Sequence, residues 1–506
     1  MDLRDYLKKL DQAGELKTVN QEVHWNLEAP ALSAISNRAG GPAIHFTNVR
    51  GYGDCSLAGS LFSGPGTLYK GPKGRLPWGR LALGLGMDRR IDYESLMTEL
   101  LARRKQPLLP TKVTTGECKE LVKTGDKVDI FEFPFTINTE KDGGRYGTAG
   151  ILSCKDRDSD WLSWGVHRFM IHSRDEIVVY LMPNSDAASI FAKYEAHNEP
   201  MPCCFFFGGD PACFLSAAMP LSPGTSETEV AGGLSQDPIE MVSAETVNML
   251  VPGNAELVIE GELLPRVRKE EGPFAEYVRY SERTLQPVMK IKAITHRKKP
   301  VIPFVMEGCK VSDSMAIISI GVSLELKRGV DTERMFKVRW VNLPVDFKLG
   351  LLVVATQVPY KGYTYFIAKY LLSKKRKSWF DKIMIVDSDI VPVDLWEVIN
   401  DFAQKTDVRS GKGVVVEELE YPLTPTAGWA TKEERERGAA HAIVYDCTWK
   451  DHWPKEEIPV RITFENSFPK EIQDKVLANW KKYGFTMEPE VKLVTEKWSR
   501  GLLMAR

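Results

Sequence analysis

Two continuous apolar runs, Leu351-Leu352-Val353-Val354-Ala355 and Ile383-Met384-Ile385-Val386-Asp387, constrain the fold of this chain more than any other feature. A strand that is apolar on both faces must be covered on both faces, the condition met inside a parallel sheet. The second run leads into an amphipathic pattern from Leu395 to Gln404. From about residue 331 the chain therefore predicts an α/β domain with a mainly parallel sheet. Asp387-Ser388-Asp389 at the end of the second run reads as a cation site or, at least as readily, as acids capping the next helix. After Pro454 the tail carries a further helical pattern, Glu471 to Lys482, ending near Gly484.

The first 330 residues are written differently. Leu3, Tyr6, Leu7 and Leu10 repeat at helical spacing until Gly14, and a second helix is predicted around Tyr93–Leu101. Between Cys118 and Pro134, alternating Leu121, Val122, Val128 and Ile130 predict strands. A glycine-rich turn, Asp142 to Gly150, runs into a strand at Ile151-Leu152; its glycines suit a tight hairpin or the approach of a phosphate or flat ring. Trp161–Ile171 reads as one strand carrying Arg168 among apolar neighbours, and a buried arginine needs an anionic partner. Ile177–Met182 and Cys203–Phe207 read as further strands, with a helix at Ala187–Glu195 between them. Val288–Ile294 and Val301–Val305 read as a β-pair, and Ala316–Leu326 as an apolar helix suited to a linker or a subunit contact.

A chain of 506 residues exceeds what one core supports, so the change of pattern marks separate domains. A net charge of -1 gives no general attraction for nucleic acid or an anionic membrane. No apolar stretch reaches membrane-spanning length, and the charged N-terminus lacks the apolar core of a signal peptide. The 8 cysteines include no C-x-x-C pair, which predicts reduced thiols and a cytoplasmic location. The vicinal Cys203-Cys204 read as small buried residues of a strand.

Glu271-Gly272-Pro273-Phe274-Ala275-Glu276 follows the β-branched run Ala255–Gly261. Pro273 fixes its own φ and pushes Gly272 out of the helical region, so the two carboxylates stand at the ends of a rigid turn. Held in one pocket, they would repel, raising the pKa of one and suiting it to carry a proton near neutral pH. Taken alone, the stretch reads more readily as a surface turn with two solvated glutamates.

Five motifs occur in order: Asp142-Gly143-Gly144-Arg145-Tyr146, Trp164-Gly165-Val166-His167-Arg168, Gly209-Asp210-Pro211, Ser226-Glu227 and the glutamate turn. In this order the chain, over roughly residues 1–460, resembles the UbiD family of reversible decarboxylases that use prenylated FMN. The resemblance implies an α/β chain in four parts. These are an α+β flavin-binding catalytic domain with a split-barrel-like mixed sheet (1–310), a linker or oligomerisation helix (311–330), an α/β C-terminal domain (331–460) and a helical tail (461–506).

By matching position, the resemblance implies Arg168, Glu271 and Glu276 as the catalytic set. Glu276 would move the proton at the carbon that exchanges carboxylate for hydrogen, and Glu271 would hold Arg168 near the flavin and the substrate carboxylate. Prenylated FMN would act as the electrophile that accommodates the charge left when carbon dioxide departs. Its implied contacts are Thr148, Val166, His167, Arg168, Tyr180, Leu181, Met182, Ser216 and Met219, with Lys450 at the phosphate.

The family's divalent ion, usually manganese, sits on Asn, His and Glu. Here those positions are Ser163, Asn184 and Glu227, an oxygen set compatible with Mn²⁺ or Mg²⁺, and K⁺ is a further implied ion. The implied reaction interconverts an aromatic or α,β-unsaturated carboxylic acid with its decarboxylated product and carbon dioxide, in either direction. A homodimer or an assembly of dimers is expected, with further carboxylase subunits as possible partners. Two other readings stay open: a non-catalytic subunit of a larger carboxylase, which the altered metal positions favour and the intact Arg168, Glu271 and Glu276 oppose, and an enzyme using plain FMN.

Overall fold

The computed structural model describes residues 1–68, 75–308, 310–374, 380–407, 415–420, 439–449 and 464–487, with isolated positions between and after them. Its largest unit is a nine-stranded sheet. In spatial order the strands are Tyr146–Gly147, Phe169–Ser173, Glu176–Val179, Thr284–His296, Ala255–Glu271, Met201–Gly208, Ile151–Lys155 and Leu162–Val166, with Leu121–Thr124 added beside Thr284–His296. All of these pairings are antiparallel.

The predicted single strand Trp161–Ile171 is two strands. Leu162–Val166 closes one end of the sheet, and Phe169–Ser173 lies next to the other end. Only His167 and Arg168 separate them, so the sheet must curl until its two ends stand side by side. The curled sheet is split at that step, and Arg168 sits in the split. The twist native to β-structure supplies the curvature.

Val288–Ile294 and Val301–Val305 do not form the predicted β-pair. The first belongs to Thr284–His296 in the large sheet. The second, Val301–Phe304, runs parallel to Ser56–Gly59 at the edge of a separate mixed four-stranded sheet. Pro303 has no N–H to donate, which suits an edge strand bonded on one side. Of the strands predicted between Cys118 and Pro134, only Leu121–Thr124 forms, and Ile130 lies in a short 3-10 turn.

The C-terminal sheet is parallel at its centre, as predicted, but both edge strands pair antiparallel. Its order is Val338–Asn342, Leu351–Thr356, Lys382–Asp387, Ala439–Cys447 and Val415–Glu420. The central three strands are parallel, and helices Tyr363–Ser373 and Leu395–Lys405 lie between them in sequence. Asp387 is not a helix cap: its carboxylate takes Lys405 Nζ at 2.6 Å, and Asp394 caps the helix instead. The tail helix runs Lys470–Asn479.

Helix Asp313–Thr332 joins the two lobes, and its sequence explains how. Ile317, Ile320 and Leu324 share one face and enter the N-terminal core. Met315, Ile318, Val322 and Leu326 point the other way, into the C-terminal core. A helix apolar all round is a buried helix, and this one spends its apolar surface within its own chain. Asp313 fixes its start by accepting backbone N–H bonds from Leu61, Phe62 and Ser63 at 3.0, 2.8 and 2.7 Å. Among the described residues no helix is long and apolar enough to cross a membrane.

Candidate active site

The strand Ala255–Glu271 ends at Glu271 because Gly272 turns the chain with φ +94°. A side chain at Gly272 would also stand 2.8 Å from the Glu282 carbonyl oxygen, so only glycine fits the turn. The glycine-rich segment at 142–150 holds this turn from outside. Gly143 N–H donates to Pro273 O at 2.8 Å, and Asp142 Oδ1 accepts from Ala275 N–H at 3.1 Å. These glycines approach another loop of the chain, which is the partner the sequence left undecided. Tyr146 completes the brace by accepting from Gly272 N–H at 3.1 Å and donating to Pro273 O at 3.3 Å. Burial, with Glu271 nearby, holds the Tyr146 phenol well above its ordinary pKa, so it remains a donor.

Arg168 meets both glutamates. Its Nε and Nη2 reach the two oxygens of Glu271 at 2.8 and 3.2 Å, the fork geometry specific to guanidinium and carboxylate. Its Nη1 pairs with Glu276. Its guanidinium carbon also lies 4.0 Å from the Tyr180 ring centroid and 4.7 Å from that of Phe274. Burial pulls the Arg168 pKa down, but Glu276 and Glu271 outweigh it, and the guanidinium stays charged. Glu271 is wholly buried, whereas Glu276 keeps 12% of its side chain exposed. One carboxylate is thus a fixed anchor, and the other faces open space.

That space is a cavity of about 1160 Å³ including its mouth. Thr148, Val166, His167, Arg168, Tyr180, Met182 and Met219 line it, together with Ser163 of the expected metal set. Ala217, Ala218 and Ile318 add an apolar wall, and Glu276 closes one side. A large cleft with an apolar wall, a few polar groups and one caged cation suits an organic cofactor and an anionic guest. His167 turns its ring back over Gly165, where a side chain would come within 2.8 Å of Nε2, and its Nδ1 lies 3.1 Å from Tyr180 O.

Four expected residues stand off the cavity wall. Leu181 is buried and donates its backbone N–H to Gln286, and Ser216 Oγ donates to Cys213 O within its helix. Asn184 and Glu227 lie behind the wall, where Glu227 Oε2 accepts the N–H of Trp164, the residue after Ser163, at 3.0 Å. Lys450 lies outside the described residues. Among the described residues, no group of three His, Cys, Asp or Glu side chains forms a metal site. Ser163, Asn184 and Glu227 offer oxygen donors alone, which fits a hard divalent cation sharing its coordination with a phosphate.

Sequence reading missed Glu307, Tyr277, Ser281 and Ser314. Glu307, Tyr277 and Ser314 line the cavity, and Ser281 accepts from Arg168 Nη2 at 3.4 Å and from Phe274 N–H at 3.0 Å. No local pattern marks them; Tyr277 and Ser281 follow the glutamate turn, Ser314 opens the joining helix, and Glu307 lies in the loop before that helix.

Residues 7–100 match the N-terminal domain of the 3-octaprenyl-4-hydroxybenzoate carboxy-lyase (UbiD) family, and residues 111–310 match its Rift-related domain. A phenolic acid decarboxylase of Sedimentibacter hydroxybenzoicus is 30% identical over 441 residues, 84% of this chain and 88% of the relative. A pyrrole-2-carboxylic acid decarboxylase of Pseudomonas aeruginosa is 26% identical over 499 residues, 96% of this chain and 98% of the relative. Among solved structures, the closed form of the vanillic acid decarboxylase of Sedimentibacter hydroxybenzoicus aligns with TM-score 0.81 and 27% identity, covering 95% of this chain and 99% of that one. The UbiD-class enzyme HmfF of Pelotomaculum thermopropionicum, in complex with FMN, aligns with TM-score 0.76 and 25% identity, covering 92% and 97%.

Proposed function

The chain belongs to the UbiD family of carboxy-lyases, and from that premise we propose that it interconverts an aromatic or α,β-unsaturated carboxylic acid with its decarboxylated product and carbon dioxide. The observation that carries this reading is Arg168 bridging Glu271 and Glu276 on the wall of one cavity.

The cavity takes prenylated FMN, which supplies an electrophilic centre able to hold the electron pair released with carbon dioxide. Residues of the chain do the rest. Glu271 fixes Arg168, leaving Nη1 as the donor that changes partner. An entering carboxylate competes with Glu276 for that donor, since both are anions drawn to the same guanidinium nitrogen. Once displaced, Glu276 is released from the guanidinium and faces the reacting carbon. It then stands as the acid that protonates the carbon from which carbon dioxide has left, or, in reverse, as the base that removes that proton. Trp164 and Phe274 help keep bulk water from the site. Glu227, Ser163 and Asn184 would hold a hard cation against the cofactor phosphate, neutralising its charge.

Purified protein reconstituted anaerobically with prenylated FMN is expected to exchange labelled bicarbonate into its acid substrate, and Glu276→Gln to abolish exchange while keeping the flavin. Absence of exchange across a panel of aryl, heteroaryl and acrylic acids, with cofactor bound, would overturn the reading and favour a non-catalytic subunit. Mass spectrometry of the extracted flavin separates prenylated from plain FMN.

A further inference from the structure

A third carboxyl lies on the same cavity, and the proposed reaction does not use it. Glu307 is 8% exposed and lines the wall with Glu276 and Tyr277. Its Oε1 accepts from Ser314 Oγ, which in turn lies 3.0 Å from Ser312 Oγ. Ser312 caps helix Asp313–Thr332 through Met315 N–H at 3.3 Å, so the carboxyl is mounted on the rigid start of that helix. The other oxygen, Oε2, is buried and has no hydrogen-bond partner among the described residues. Gly308, next in the chain, lies against the Glu276 carbonyl, where a side chain would come within 3.2 Å.

A buried carboxyl oxygen without a partner is costly, and native structures rarely keep one except where something else supplies the bond. Arg168 cannot serve, because its donors are taken up by Glu271, Glu276 and Ser281. The missing partner must then enter the cavity, and for the ionised carboxylate, which prevails above about pH 7, it carries an O–H or N–H.

We infer that Glu307 reads the substrate: it selects aromatic or heteroaromatic acids that present a hydroxyl or ring N–H donor on the framework and rejects isosteres that lack it. This rests on the proposed function and deepens it. The physical reason is asymmetry. A donor-bearing acid satisfies Oε2, whereas a donor-less acid of the same shape buries it unpaired, and sites of that kind discriminate strongly.

The test uses matched pairs at pH 8, where Glu307 is ionised, on protein loaded with prenylated FMN: pyrrole-2-carboxylate against furan-2-carboxylate, and 4-hydroxybenzoate against 4-fluorobenzoate. Affinity is read by calorimetry, apart from turnover, and bicarbonate exchange is followed in parallel. The donor acid of at least one pair is expected to bind about tenfold or more tighter to the wild type. Glu307→Met and Glu307→Gln should bring that ratio to within about threefold, chiefly by weakening the donor acid. Melting and flavin absorbance check that each variant folds, and Gln decides if Met does not fold. A wild-type ratio near one in both pairs, or a ratio unchanged in a folded variant, overturns the inference. Preferential binding without exchange would sink the proposed reaction and leave Glu307's role standing; exchange without preference would do the reverse.

Discussion

Gly143 packs against Gly272 so closely that a Cβ on Gly143 would stand 2.2 Å from the Gly272 carbonyl oxygen and 2.7 Å from its carbon. The atoms it would meet are backbone, so the turn carrying Glu271 and Glu276 would have to move. Gly143→Ala is expected to destabilise the protein by about 1–3 kcal/mol through overpacking. It should also lower exchange by about a hundredfold, because small displacements of reacting groups are expensive. Denaturant melts and bicarbonate exchange on one preparation check both effects.

Glu271 and Glu276 should separate stability from chemistry. Glu271 is wholly buried and bound by two nitrogens of Arg168, so Glu271→Ala strips a buried cation of its bidentate anion, leaves it Glu276 alone, and should cost about 3–5 kcal/mol. Glu276 is partly exposed and bound by one nitrogen, so Glu276→Gln should change stability by less than about 1 kcal/mol. Exchange in that variant should still fall at least about a hundredfold. Equal melting losses in both variants would contradict this division.

Glu307 sets a pH dependence whose sign is opposite to that of a salt-bridged acid. Burial, with Glu276 and Asp313 adding repulsion and the serine hydrogen bonds opposing, pushes its pKa from 4.5 up to about 7. The folded state therefore holds this proton more tightly than the unfolded chain. Its stabilising contribution is complete below pH 4.5 and is lost as pH rises through about 7. Relative to Glu307→Gln, the wild type should lose about 3 kcal/mol over that window. Urea midpoints of the two proteins, measured from pH 4 to 8 as a difference, check the sign.

Lys405 offers a test away from the cavity. It is 2% exposed and donates to Asp387 at 2.6 Å and to Asp401 at 2.7 Å. Burial raises the Asp387 pKa to about 6 even with this cation beside it. Lys405→Met removes the cation shared by Asp387 and Asp401 in the C-terminal domain and should cost about 3–5 kcal/mol. Thermal melts check that loss, and flavin loading of the folded variant should be unchanged.

The sequence by itself determined the elements that depend on local pattern. The apolar runs at 351–355 and 383–387 became parallel strands, and the spacing of Ile317, Ile320 and Leu324 against Met315, Ile318 and Val322 became a helix serving two cores. Periodicity is a property of neighbours in the chain, so it is legible without coordinates. The ordered motifs also named Arg168, Glu271 and Glu276. Only the tertiary structure decided that Trp161–Ile171 breaks at His167-Arg168, because that break exists to let a curled sheet close. Only it brought Glu307 onto the cavity, since a carboxyl's burial depends on what distant segments lay over it, and an isolated glutamate reads the same whether solvated or enclosed.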